Sequence, residues 1–260
     1  SGLTGPATRV VDLATGAFTD HYDAKVISGG NRYDGGIPWQ TDVSGVSTDQ
    51  EEGDRIPVAV NEAYRNANLW WRSDRGGATI AYIGRETIDG HAADHIAVTP
   101  RGGGRFEAWF DSASHLLVRT AEPQQFFKTQ TLYGDYRRVA GAMIPHSRTV
   151  DFGTGDPQKY TLKQASFGPA KPLSAYSRPT AAPGGGQIAG GLRTATIPFR
   201  LLNNHVYVEA TVNGKGPYTF IVDTGGHTLI SPRAAKEAGL RVVGAGVTSG
   251  AGEKTETTGF

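Results

Sequence analysis

Cysteine is absent from the 260 residues. That one absence removes disulfides, cysteine-bound zinc and thiol nucleophiles together. Charge of one sign is equally scarce: 26 Lys and Arg stand against 25 Asp and Glu, a net +1. So balanced a chain offers no electrostatic footprint for nucleic acid or an anionic membrane. No stretch approaches the roughly 20 apolar residues that a bilayer-spanning helix needs. No phosphate loop is present either. Gly102–Gly104 and Gly184–Gly186 lack the strand-to-helix setting and the Lys-Ser/Thr that phosphates require, and read as turn and linker. His91 and His95 have the four-residue spacing of a zinc helix, but their segment reads as a strand, where such residues stand about 13 Å apart. No metal and no cofactor are expected.

What is abundant is glycine, 36 residues, with 14 prolines. This punctuation favours many short strands over long helices. Strand candidates in the first part are Val10–Leu13, Ala24–Ile27, Ile37–Trp39, Ala78–Gly84, His91–Thr99, Arg105–Phe110 and Leu116–Ala121. Thr129–Leu132, Tyr136–Val139, Ser147–Phe152 and Tyr160–Ala165 continue the series. Turn signals at Asp89-Gly90, Arg101–Gly104 and Asp111–Ser114 separate them as in an antiparallel meander. Apolar residues at 56, 58, 60, 64, 67, 70 and 71 predict one helix over Pro57–Trp71. The fold expected is mainly β: a curled antiparallel sheet or half-barrel with one helix.

The chain divides into residues 1–168, a linker over 169–192 and a last part over 193–260. The linker is marked by Pro169, Pro172, Pro179, Pro183 and paired glycines, a composition that suits an extended connection. In the last part, Thr196–Leu202, His205–Val212 and Tyr218–Val222 read as strands, joined by an Asn213–Gly216 hairpin turn. Ser231 is an N-cap with Pro232 at the first helical position, and Gly239 a terminator, which predicts a helix over Pro232–Ala238.

Between the strand and this helix stands Asp223-Thr224-Gly225-Gly226. A carboxylate at the tip of a rigid strand can polarise a water. Glycine lets the backbone turn close to a reacting group, and the threonine hydroxyl can lock the loop onto neighbouring main chain. Such chemistry takes two aspartates. Two carboxylates about 3 Å apart share one proton, so one is general base and the other donates to the substrate carbonyl. The sequence holds one such Asp-Thr-Gly.

Val206–Gly214, Tyr218–Gly225, Leu229–Pro232 and Ala238–Leu240 closely resemble the bacterial retropepsin-like aspartic proteases over about residues 193–260. The resemblance implies that Asp223 is the catalytic carboxylate and that Thr224 and Gly225 form its supporting loop. It makes Val247–Gly252, with Gly250, Ala251 and Gly252 at its tip, the start of a flap over the substrate. It also implies a partial lobe, because the family's later strand does not follow before Phe260. The second aspartate would come from a homodimer mate or from a C-terminal half missing from this chain.

Tyr33–Gly35, Trp39, Trp70-Trp71, Glu107–Asp111 and His115–Arg119 give residues 1–168 a distant similarity to periplasmic lipoprotein carriers. These are half-open β-barrels with a helical lid. That similarity implies a hydrophobic ligand, acyl chain or peptide, lined by Trp39, Trp70, Trp71, Trp109, Phe110, Phe126 and Phe127; the same aromatics also suit an ordinary core. Ser1-Gly2 opens directly into turn-like sequence, so the chain reads as mature or trimmed, and a periplasmic or secreted location is expected. Two functions stand: an aspartic endopeptidase acting on peptide or protein, or a binding module for lipid or hydrophobic peptide with a non-catalytic protease-like segment.

Overall fold

The computed structural model describes residues 4–24, 28–41, 47–124, 127–153, 157–178, 188–192, 194–223, 229–241, 244–248 and 255–259. The chain forms two compact units. One holds Pro6–Tyr22 and Ser28–Pro183, the other Gly184–Phe260 with two short pieces near the N-terminus.

The first unit begins with a five-stranded antiparallel meander: β1 (Ala7–Val11), β2 (Phe18–Asp23), β3 (Ser28–Tyr33), β4 (Trp39–Thr41) and β5 (Ser47–Asp49). Helix α1 (Arg55–Asn66) follows. A seven-stranded meander completes the unit: β6 (Thr79–Ile88), β7 (His91–Thr99), β8 (Phe106–Asp111), β9 (Leu117–Pro123), β10 (Lys128–Val139), β11 (Ala142–Asp151) and β12 (Gln158–Thr161). The architecture is mainly β, with sheets that do not close into a barrel.

Helix α1 is shorter than its periodicity predicts. It stops at Asn66 because Asn68 takes a left-handed conformation (φ 49°), and Leu69–Trp71 form a separate 3₁₀ turn. Asparagine tolerates that region. The break turns Trp70 inward, 5.7 Å from Tyr64 and 5.3 Å from Phe110, ring centre to ring centre.

Small and large residues divide the work of α1. Tyr64 joins Trp70, Val98, Phe106, Ala108 and Phe110 against the seven-stranded sheet. Ala59 and Ala63, one turn apart, join Phe18 and Tyr33 of the five-stranded sheet. Each large side chain buried in this way contributes about 1.5–3 kcal/mol. The alanines allow close approach: at Gly16 (φ 81°) a Cβ would lie 2.1 Å from the Ala63 carbonyl oxygen.

Charged residues finish the same interface. Buried Asn61 donates to Glu122 Oε1 (2.6 Å), and Arg65 donates to Glu122 Oε2 (2.8 Å) while lying 5.0 Å over the Phe106 ring. Arg9 bonds Asp20 through both carboxylate oxygens (2.6 and 2.8 Å) and also reaches Glu62 on α1. Partial burial would raise the Glu62 carboxyl, but the charges of Arg9 and Arg65 overcome it and hold the group below the usual carboxylate range.

The strand expected over Ala24–Ile27 is not seen at Ala24, which lies just past β2. Residues 25–27 lie outside the described residues, and β2 and β3 flank them. The two expected strands over 129–139 are one, β10, continuous through Gly134. Within the segment read as linker, Leu173–Ala175 form a 3₁₀ turn and Tyr176 is fully buried. The Trp39 indole N–H donates to the Tyr176 carbonyl (3.3 Å), Ser177 to Asp34 (2.7 Å) and Arg178 to Asp49 (2.9 Å).

The second unit contains a three-stranded antiparallel sheet, β13 (Arg200–Leu202), β14 (His205–Val212) and β15 (Lys215–Ile221). Helix α2 (Pro232–Glu237) and the paired strands β16 (Gly244–Thr248) and β17 (Thr255–Gly259) follow.

Candidate functional site

The scaffold around Asp223 starts with the tight turn between β14 and β15. Asn213 and Gly214 both have positive φ, 51° and 72°, the backbone that a two-residue hairpin matching the strand twist requires. The strand resumes at Lys215, three residues earlier than the sequence suggests. Tyr207 pairs with Ile221 and Glu209 with Thr219. Thr219 donates to Glu209 (2.8 Å), which also faces Arg200 at 3.5 Å. The Val222 amide adds one rung by donating to the Val206 carbonyl (2.9 Å). Asp223 therefore leaves the ladder at its last bonded residue, and it is exposed.

Helix α2 closes the other side of the segment. The Ser231 hydroxyl caps it by accepting from the Ala234 amide (3.3 Å), a bond worth about 1 kcal/mol. Gly239 (φ 70°) ends it, with the Leu240 amide returning to the Ala235 carbonyl (2.9 Å). The Asn213 side chain donates to the Ala238 carbonyl (3.1 Å). The β14–β15 turn is thus pinned to the end of α2, and the ends of the segment 223–231 belong to one small framework. Thr224 and Gly225 lie outside the described residues. So do Gly250, Ala251 and Gly252, which fall between the paired strands β16 and β17.

The first unit carries a second cluster of ionisable side chains, on the face of the seven-stranded sheet turned away from α1. Phe106, Ala108 and Phe110 of β8 pack with Tyr64 and Trp70, so Glu107 and Trp109 alternate onto the opposite face. There His95 stacks on Trp109 with ring centres 4.1 Å apart, and the Arg119 guanidinium lies 3.7 Å over the same indole. Glu86 ties the stack together, 2.7 Å from His95 Nδ1 and 3.1 Å from the Trp109 N–H that donates to it. These hydrogen bonds, with the His95 and Arg119 charges, overcome desolvation and hold the Glu86 carboxyl low. Sequence reading missed this arrangement. Its members sit on four strands, and only the register His95 opposite Trp109 opposite Arg119 brings them together.

The aromatics expected to line a hydrophobic ligand site are mostly core. Trp39, Trp70, Trp109 and Phe110 are buried. Trp71 and Phe127 are exposed, and Phe126 lies outside the described residues. His91 and His95 are on β7, as the strand reading requires. Among the described residues no three His, Cys, Asp or Glu side chains are grouped to hold a metal ion, and no helix is long and apolar enough to cross a membrane.

A family model described as aspartyl protease matches residues 208–259. The match spans the second part of β14, then β15, Asp223, α2 and the paired strands β16 and β17. No curated protein matches the chain. Among solved structures, a putative outer membrane lipoprotein-sorting protein domain from Vibrio parahaemolyticus is similar at 10% identity, over 62% of this chain and 75% of that one, with a TM-score of 0.42. A protein of the DUF1329 family from Desulfovibrio piger is similar at 12% identity, over 55% and 67%, with a TM-score of 0.38. A LolA superfamily protein from Nitrosomonas europaea is similar at 12% identity, over 62% and 81%, with a TM-score of 0.33.

Proposed function

We propose that this chain supplies one catalytic aspartate, Asp223, to an aspartic endopeptidase. The observation that carries the reading is the aspartyl protease match over 208–259, with Asp223 at the tip of a hydrogen-bonded hairpin strand and a capped helix eight residues on. A strand tip of this kind holds a carboxylate still while leaving it open to water and substrate.

In the proposed mechanism Asp223 and a partner aspartate share one proton. The ionised member takes a proton from a bound water as that water attacks the scissile carbonyl. The protonated member donates to the carbonyl oxygen. No covalent intermediate forms, and the proton is returned as the amine leaves. Thr224 and Gly225 hold the loop, and the β16–β17 hairpin closes over an extended peptide, excluding water. The partner carboxylate comes from a second copy of the chain across a two-fold axis, or from a second lobe.

Cleavage of an unfolded protein substrate from acid to neutral pH tests the reading. Asp223→Asn is expected to reduce cleavage to background while the far-ultraviolet circular dichroism is unchanged. Cleavage that rises with the square of chain concentration identifies a homodimer as the source of the second carboxylate. Undiminished cleavage by Asp223→Asn would overturn the assignment.

A further inference from the structure

On the outer face of the seven-stranded sheet, beside the His95–Trp109–Arg119 stack, lies a cleft of about 370 Å³. That volume falls within the roughly 300–1,000 Å³ typical of small-molecule sites. Its floor is apolar and firm. Ala93 is buried with Trp109 and Ala121, and Ile88 and Val118 pack against that cluster. Leu132 of β10 forms a wall that is more than one third exposed. Tyr136 offers only its ring, because its hydroxyl donates to the Leu117 carbonyl (2.6 Å) and burial pushes the phenol well above its ordinary range.

Asp89, His91 and Asp111 all line the cleft. Asp111 is prepared in a particular way. The Ser114 hydroxyl (2.7 Å), the Ser114 amide (2.7 Å) and the Ala113 amide (3.2 Å) all donate to the same oxygen, Oδ1. Those bonds, the hydroxyl first, hold the carboxyl below the usual range. Among the described residues no hydrogen bond falls on Oδ2. An ionised carboxylate with one oxygen fixed by the turn, and with His91 as an electrostatic neighbour, thus lines an apolar recess. A charged acceptor of this kind is best answered by a charged donor.

We propose that this cleft is a binding site for a small organic amine: an ammonium group at Asp111 Oδ2, carried on an apolar body that lies over Ile88, Val118 and Leu132. The site faces away from α1 and belongs to the first unit alone, so it stands independently of any role for Asp223.

Octylammonium, octanol and octanoate, added to the full chain at pH 8, separate the two halves of the claim. Amide chemical shifts of Ala93, Leu132 and Gly134 report occupancy. Octylammonium is expected to bind at least ten-fold more tightly than octanol, and octanoate to bind least. Asp111→Asn keeps an oxygen to accept the Ser114 and Ala113 bonds, so it should retain octanol binding and lose the preference for the ammonium. Leu132→Lys places a fixed cation in the recess and should abolish octylammonium binding, with its melting curve showing the fold intact. Absence of saturable shifts with all three probes overturns the proposal. So do equal affinities for ammonium and alcohol, or unchanged binding in Leu132→Lys.

Discussion

Glu122 shows how one side chain can hold two elements together. It is nearly inaccessible, and both its oxygens are engaged from α1, by Asn61 and Arg65. Removing one member of a buried charged set strands the other, a loss of about 3–5 kcal/mol. Glu122→Ala is therefore expected to destabilise the first unit by about that much, read from the urea midpoint. A change under about 1 kcal/mol would show that water replaces the carboxylate without penalty. Nothing in the sequence marks Glu122, since a glutamate before Pro123 reads as a strand end or a turn. Asp223 is the opposite case. Its place at a strand end was legible because the strand, the hairpin turn and the capped helix around it are all local signals, each recorded within a few residues of the others. The outer-face stack of His95, Trp109 and Arg119 was illegible for the converse reason. It depends on cross-strand register, which no local pattern records.

Elements were legible where a run is bounded by clear turn signals. Strand β7 (His91–Thr99) and β14 (His205–Val212) have the bounds that the sequence predicts. Strands β2 (FTDHYD) and β3 (SGGNRY) carry few apolar residues and were passed over. They are strands because Phe18 and Tyr33 pack on α1 and because their backbones pair within the five-stranded sheet. The helix end was misread for a related reason: Trp70 and Trp71 keep the helical period while the chain has already left the helix at Asn68. The contact between the β1–β2 connection and α1 has its own test. Gly16 combines φ 81° with backbone contact to Ala63. Gly16→Ala should cost at least about 1–2 kcal/mol for the left-handed conformation alone, and more for the displaced helix. A thermal melt within a degree of the parent would show that the contact is dispensable.

At the scale of the whole molecule, acid is the relevant stress, since the proposed chemistry uses a shared proton. The Glu62 carboxyl is held below its ordinary value of 4.5. A group depressed in this way contributes its stability above the unfolded value and loses it as pH falls through the folded one. The first unit should therefore keep a constant melting temperature above about pH 5 and lose stability progressively below about pH 4.5. Glu62→Gln should flatten that acid slope while lowering the plateau, because Arg9 loses a partner. The same acid slope in parent and variant would exclude Glu62 as its source. The seven-stranded sheet also has a kinetic consequence. Each of its strands pairs with its neighbours in the chain, so loop closure costs little at every step. The bonds from α1 to β9, spanning 61 and 57 residues, must wait for distant parts to meet. The sheet can zip from its hairpins before α1 docks. A Glu122 variant should then refold almost as fast as the parent and unfold much faster, making the helix clasp a setting of lifetime rather than of folding speed.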